Sequence, residues 1–489
     1  MQGPGLNWRF IFRVGGLSLA LESFFIFLSA GVSAYYKDYD TKAFILSGII
    51  TLACGLIIAL PAGFQIKNNF ISKREGFVSV ALSWILFVAF GALPFYLSGA
   101  IPSFTDSFFE SASGITTTGG SILTDIEALP KGLLFWRSLT QWLGGMGIIV
   151  FSLALLPLLG GGASQLFDAE MTGLTHDKFR PRVTQMAKRL WLIYFGLTIV
   201  LTILLIAGPM DVFDSVCHAF TTISTGGFST KQLSIAYWDS TYIEVVIIIF
   251  MVVGATNFAL LYFLLKGQFK KFFQDEELRW YLSIIIIGSL FIAFCLSWDD
   301  LYASHVDSFR NSIFQVVSIF TTTGFSTGDF VKWGPFYWII FMLLMVICGC
   351  AGSTSGGLKT VRAVVLGKNT LAEFKRLIHP RAIIPVRLNG RPLSFGIVQR
   401  LLAFAYLYII IIFFSWMILT LSGMPFIEAL GASVSGISNV GPGFGTNGPS
   451  GSFADIPEFA KWYLSFLMII GRLEIFTILI LFIPSFWKR

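Results

Sequence analysis

The sequence predicts an all-α integral membrane protein of about ten transmembrane helices, an N-terminal pair followed by four copies of one unit. Two observations carry this. Of 489 residues, 55% are hydrophobic and only 12% charged, about half the charge of a soluble domain, so most of the chain must face lipid. A Gly/Thr stretch also recurs: Thr116 to Ser121, Thr221 to Thr230, Phe320 to Gly328 and, as a more distant echo, Ser438 to Gly445. Its central glycines, taken as 119, 226, 324 and 441, lie 107, 98 and 117 residues apart, far beyond the period of a solenoid and long enough for a unit each.

The N-terminal residues Arg9 and Arg13 precede an apolar run, and Ser29 to Ala34 has small residues in the manner of a cleavage site. The run is longer than the apolar core of a signal peptide and contains Glu22, which favours two retained helices, at 11–34 and 43–65. The first unit reads as a span at 77–100, a short helix at 105–115, the Gly/Thr loop and a span at 133–159. The second runs 189–208, 213–222, loop 223–230 and 241–265. The third runs 280–297, 308–319, loop 321–329 and 336–367. The fourth runs 400–422, 425–436, loop 438–446 and 461–484. Domain limits follow at 1–68, 69–180, 181–272, 273–380 and 381–489. Asp106, Asp214, Asn311 and Glu428 lie 12 or 13 residues before the central glycines and suit the start of each short helix.

If the short helices enter from one side, the links between units lie on the other. Those links and both termini hold 25 of the 34 Lys and Arg residues, the opposite side seven. The asymmetry places the links and termini in the cytoplasm. It also explains the net charge of +7 by membrane topology, so no nucleic-acid partner is expected. Asp106, Asp214, Asp299, Asp300, Asp307 and Asp329 fall on the outer side, where an acidic mouth would gather cations. Glu22 and Glu244 read as interfacial or paired. Five scattered cysteines and four dispersed histidines form neither a disulfide framework nor a metal centre. No H-E-x-x-H, phosphate loop or nucleophile elbow is present, which excludes the common intramembrane enzyme designs.

Non-helical backbone at membrane depth survives only where protein buries it or it lines water. Four short helices ending in Gly/Thr loops therefore fit the lining of one pathway. Glycine lets carbonyls turn toward a shared axis, and a ring of oxygens can replace the hydration shell of a cation. Each short helix would aim its negative dipole end at that ion. The filter residues expected are Thr117, Thr118 and Gly119; Ser224, Thr225 and Gly226; Thr322, Thr323 and Gly324; and Asn439, Val440 and Gly441. The last loop has Asn-Val where the first and third have Thr-Thr, so the ring should be less symmetric than that of a tetrameric channel.

Two further features read as a gate. Gly349 to Gly357 interrupts the final run of the third unit with Gly349, Gly352, Ser353, Thr354, Ser355, Gly356 and Gly357, too many helix-poor residues for a lipid-facing helix. Lys359 and Arg362 follow, where a cytosolic partner could act on them. Arg472 lies in the last span beside Glu474, where an arginine must face protein, a carboxylate or water.

The stretches S-G-I-T-T-T-G at 113–119, F-W-R-S-L-T-Q-W-L-G-G-M-G at 135–147, F-T-T-I-S-T-G-G-F-S at 220–229, F-T-T-T-G-F-S-T at 320–327, S-N-V-G-P-G at 438–443 and G-R-L-E at 471–474 resemble the Trk/Ktr/HKT superfamily of potassium transporters, in its bacterial TrkH branch. The two additional N-terminal helices favour that branch over KtrB. The resemblance implies gated potassium uptake across a bacterial inner membrane, with potassium as the transported ion and no organic cofactor on this chain. It implies a homodimer with one pore per protomer and a cytosolic ring of TrkA-like nucleotide-binding subunits. It also implies that the 348–357 loop and Arg472 obstruct the pore. Some plant relatives with serine at the first filter glycine favour sodium, so glycine at all four points to potassium. Broken helices are equally typical of carriers, which leaves a sodium- or proton-coupled symporter as the alternative mechanism.

Overall fold

The computed structural model describes residues 6–60, 73–155 and 179–488. Lys67, Lys178, Arg489 and the expected helix ends at 65 and 159 lie outside them. Helices α1 (Trp8–Tyr36) and α2 (Thr41–Ala59) form the N-terminal pair. They meet at Gly16 and Gly55, where a Cβ on either would lie 2.5 or 2.8 Å from the other's carbonyl oxygen. Such close backbone approach is the usual means of helix association in lipid.

The first unit opens with α3 (Lys73–Gly91), which breaks at Ala92 and resumes as α4 (Leu93–Leu97). The Trp136 indole donates to the Gly91 carbonyl at 3.0 Å. Short helix α5 (Phe104–Ile115) and long helix α6 (Lys131–Leu155) complete the unit. The second has α7 (Phe179–Ile206), short α8 (Val212–Ile223) and α9 (Thr241–Gly254), which turns by 106° into α10 (Phe258–Leu265). After the connecting helix α11 (Phe269–Gln274), the third has α12 (Glu276–Trp298), short α13 (His305–Phe320), α14 (Pro335–Ile347) and, past an irregular segment, α15 (Thr360–Ile378). A small hairpin, β1 (Arg387–Leu388) with β2 (Arg391–Pro392), leads into the fourth. That unit has α16 (Phe395–Leu421), short α17 (Phe426–Ser438) and α18 (Glu458–Arg472), which turns by 107° into Phe476–Phe482.

Among the described residues, six helices are long and apolar enough to cross a membrane, or up to eight if each bent pair is one span. Helices α6 and α14 take the corresponding places in units one and three, which gives the order the sequence predicts. One detail differs. The third short helix starts at His305 with Asp307 in its first turn, so Asn311 sits two turns inside it and is not its opening residue.

The last long helix of each unit packs against the short helix of the next: α6 on α8, α9 on α13, α14 on α17, and α18 back on α5. The four units therefore close into a ring. Glu244 is paired, its carboxylate 2.6 Å from Arg310. Glu22 is fully buried, and among the described residues neither of its oxygens has a hydrogen-bond partner.

Candidate ion pathway

The short helices end at Ile115, Ile223, Phe320 and Ser438. Just beyond each end, one residue enters the left-handed region: Thr117 (φ 53°), Thr225 (52°), Thr322 (60°) and Asn439 (56°). Two residues later comes a glycine with positive φ: Gly119 (87°), Gly227 (79°), Gly324 (78°) and Gly441 (104°). The bonds that close the helix ends match, with Thr118, Gly226, Thr323 and Val440 donating to the fifth residue upstream. The structural counterpart of Gly119, Gly324 and Gly441 is therefore Gly227. The expected set Ser224, Thr225 and Gly226 is one residue early, and Thr225, Gly226 and Gly227 hold those places. A signal was present in the sequence: measured to Gly227, all four spacings from Asp106, Asp214, Asn311 and Glu428 become 13.

The four loops touch in a closed cycle. A Cβ on Gly119 would lie 2.1 Å from the Gly226 carbonyl oxygen, one on Gly227 1.7 Å from that of Thr323, one on Gly324 2.3 Å from that of Val440, and one on Gly441 2.6 Å from that of Thr118. Each loop presses the carbonyl before its glycine onto the glycine of the preceding loop, so no side chain fits at any of the four. The four glycines share one cavity of about 70 Å³, with Arg137 and Pro442 also on its wall, room for a few waters.

Polar groups behind the loops fix this ring. Gln141 Nε2 donates to the Gly226 carbonyl at 2.7 Å, and its Oε1 accepts from Phe228 N at 3.0 Å. Glu110 pairs with Arg137 at 2.6 Å, both buried, and accepts from Ile122 N; Arg137 also donates to the Ser229 carbonyl at 2.8 Å. The Asn439 amide donates to Thr118 Oγ1 and to the Met468 carbonyl, each at 2.9 Å. Sequence reasoning missed the roles of Gln141, Glu110 and Arg137. The places of Arg137 and Gln141 in the 135–147 motif, and of Glu110 in the short helix before the first loop, were the available hint.

The expected gate residues lie directly against three of these loops. Thr354 Oγ1 is 3.2 Å from Thr225 Oγ1 and from the Ile223 carbonyl oxygen. Gly356 N donates to Thr322 Oγ1 at 3.0 Å, and a Cβ on Gly356 would lie 2.1 Å from the Ser438 carbonyl oxygen. The segment folds on itself through Ser353, whose Oγ donates to the Cys350 carbonyl at 2.5 Å. Gly352 and Gly357 make its left-handed bends (69° and 70°), and a Cβ on Gly349 would meet Ser355 Oγ at 2.6 Å.

Arg472 is buried, donating to the Thr354 carbonyl at 2.6 Å and to the Gly144 carbonyl on α6 at 3.0 Å. It ties the segment to unit one, opposite its origin in unit three. Glu474 pairs with Arg362 instead, at 2.5 Å. Lys359 is buried, not open to a partner as expected: its ammonium donates to the Ser355 carbonyl at 2.5 Å. Lys359 and Arg472 both line a cavity bounded by Ser355, Gly356, Tyr408 and Glu474. Two basic side chains thus share one cavity beside the segment.

The family described as TrkH, cation transport protein, matches residues 41–489. The chain is 38% identical over 487 residues to the Trk system potassium uptake protein TrkH of Salmonella typhimurium, covering 99% of this chain and 100% of that one. It is 34% identical over 467 residues to TrkG of Escherichia coli K12, covering 94% of each. Among solved structures, the potassium transporter TrkH from Vibrio parahaemolyticus superimposes with a TM-score of 0.91 at 37% identity, over 99% of this chain and 100% of that chain. The chain belongs to the TrkH family of cation transport proteins.

Proposed function

We propose that this protein takes up potassium through a gated, channel-like pore in a bacterial inner membrane. The four Gly/Thr loops serve as its filter and the 348–357 segment with Arg472 as its gate. The observation that carries this reading is the closed cycle of glycine-to-carbonyl contacts through loops one to four. A desolvated monovalent cation needs several oxygens at once, because stripping its water without substitutes costs tens of kcal/mol. The loops gather backbone oxygens from four units at one place, at the negative ends of four short helices. The gate reading draws support from Thr354 and Gly356 against the filter residues and from the Arg472 tether. We propose further, from the resemblance noted above, that the protein works as a homodimer with cytosolic nucleotide-binding subunits.

Rubidium uptake into proteoliposomes with sodium competition tests the filter. Gly324→Ser is expected to weaken potassium preference over sodium; unchanged preference would remove the assignment. Removing residues 350–356 is expected to raise basal flux, and a folded variant with native flux would remove the gate. Unitary currents in single-protein recordings separate a channel from a sodium- or proton-coupled symporter, which would give none.

A further inference from the structure

We infer that Glu277, which neither the filter nor the gate reading assigns, is the positioning residue that pins both ends of the gate segment. We infer further that the hairpin at 387–392 is the handle by which cytosolic events move that pin. The inference rests on the gate reading above. Glu277 lies in the first turn of α12 and is buried. Its Oε1 accepts from Ala351 N at 2.7 Å and from Val361 N at 3.1 Å. Ala351 stands at the entry to the gate segment and Val361 just past its exit. One carboxylate oxygen therefore clasps the segment at both ends.

The Val361 bond also supplies a cap. Helix α15 begins after Lys359, which offers no side-chain cap, and the first amides of a helix lack partners within it. A carboxylate there satisfies a donor and faces the positive end of the helix dipole.

The same turn of α12 is held from the cytoplasmic side. The tip of the hairpin is Asn389-Gly390, both left-handed (φ 49° and 76°), as a two-residue type I′ turn requires. Asn389 Oδ1 accepts from Glu276 N at 2.7 Å, Asn389 N donates to Glu276 at 3.0 Å, and Asn389 Nδ2 donates to Asp275 at 3.0 Å. Lys368 on α15 pairs with Glu276 and donates to the Arg387 carbonyl. Val386 and Leu388 then join Ala351, Val361 and Val365 in a small apolar cluster separate from the main core. Hairpin, α15 and the gate ends thus form one packed body with Glu277 at its joint. Displacing the hairpin pulls on the turn that carries Glu277, and through it on the gate.

Rubidium flux per folded protein, without cytosolic subunits, tests this with Glu277→Ala, Glu277→Gln, Asn389→Ala and the 350–356 deletion. Gln keeps the accepting oxygen, so E277Q is expected to stay near native flux. E277A is expected to leak about tenfold more, the scale of losing a buried hydrogen bond or two. N389A, at a surface turn and free of the folding risk of E277A, is expected to leak in the same direction. The E277A/N389A double variant is expected to leak no more than E277A alone, because both act on one joint. Native flux in E277A or in N389A, or equal leak in E277Q and E277A, would overturn the inference while a leaking deletion left the gate reading standing. A deletion with native flux would count against the gate reading itself.

Discussion

Gly226 and Gly227 are adjacent, yet the structure assigns them different obstacles. A methyl at Gly227 meets the Thr323 carbonyl oxygen at 1.7 Å, backbone of the next loop, and φ of 79° is unfavourable for any L residue. A methyl at Gly226 meets the Gln141 side-chain amide at 2.4 Å, which can be shortened. Gly227→Ala is therefore expected to lower selective rubidium uptake by about tenfold or more, the effect of 1.4 kcal/mol or more, and Q141A should not restore it. Gly226→Ala is expected to recover part of its loss in the Q141A background. Equal rescue of both would refute the register assigned to loop two. That register was only half legible in the sequence. The string S-T-G-G offers two glycines for one place, and only backbone dihedrals and the neighbouring loop decide between them.

At the scale of elements, the buried Glu110–Arg137 pair joins short helix α5 to α6 and, through the Ser229 carbonyl, to loop two. Arg137→Ala leaves the buried Glu110 carboxylate without its positive partner, although Ile122 N and the Ser121 hydroxyl still donate to it. It is expected to cost about 3–5 kcal/mol, read as an earlier thermal unfolding midpoint in detergent. An unchanged midpoint would mean the pair is not holding the two loops. Arg472 differs because its partners are the Thr354 and Gly144 carbonyls. Arg472→Ala removes a tether and a positive charge together, and is expected to raise basal rubidium flux several-fold; flux at or below native in folded protein would contradict that role. The break after α14 was legible from composition, since glycine and serine cannot sustain a lipid-facing helix. The burial of Lys359 was not. Its position beside basic Arg362 reads as a cytoplasmic link, and only the fold of the segment turns its ammonium onto the Ser355 carbonyl.

For the whole molecule, the repeat was legible because each unit must bury the same irregular backbone, and glycine and threonine record that need in the sequence. The order of packing was not legible, because the contacts of α6 on α8 through to α18 on α5 join residues far apart in the chain. That closure turns four separate loops into one ring and gives Gly119, Gly227, Gly324 and Gly441 a common cavity. It also explains why the extra N-terminal pair can sit outside: α1 packs on α3 and α6, the outer wall of unit one, and contributes nothing to the cavity lining. The most direct test is to locate the ion. Anomalous scattering from protein crystals soaked in rubidium should give a peak at the loops, within coordination distance of oxygens from all four. Well-ordered loops with no peak there, or a peak bound by the oxygens of one unit alone, would contradict the shared filter.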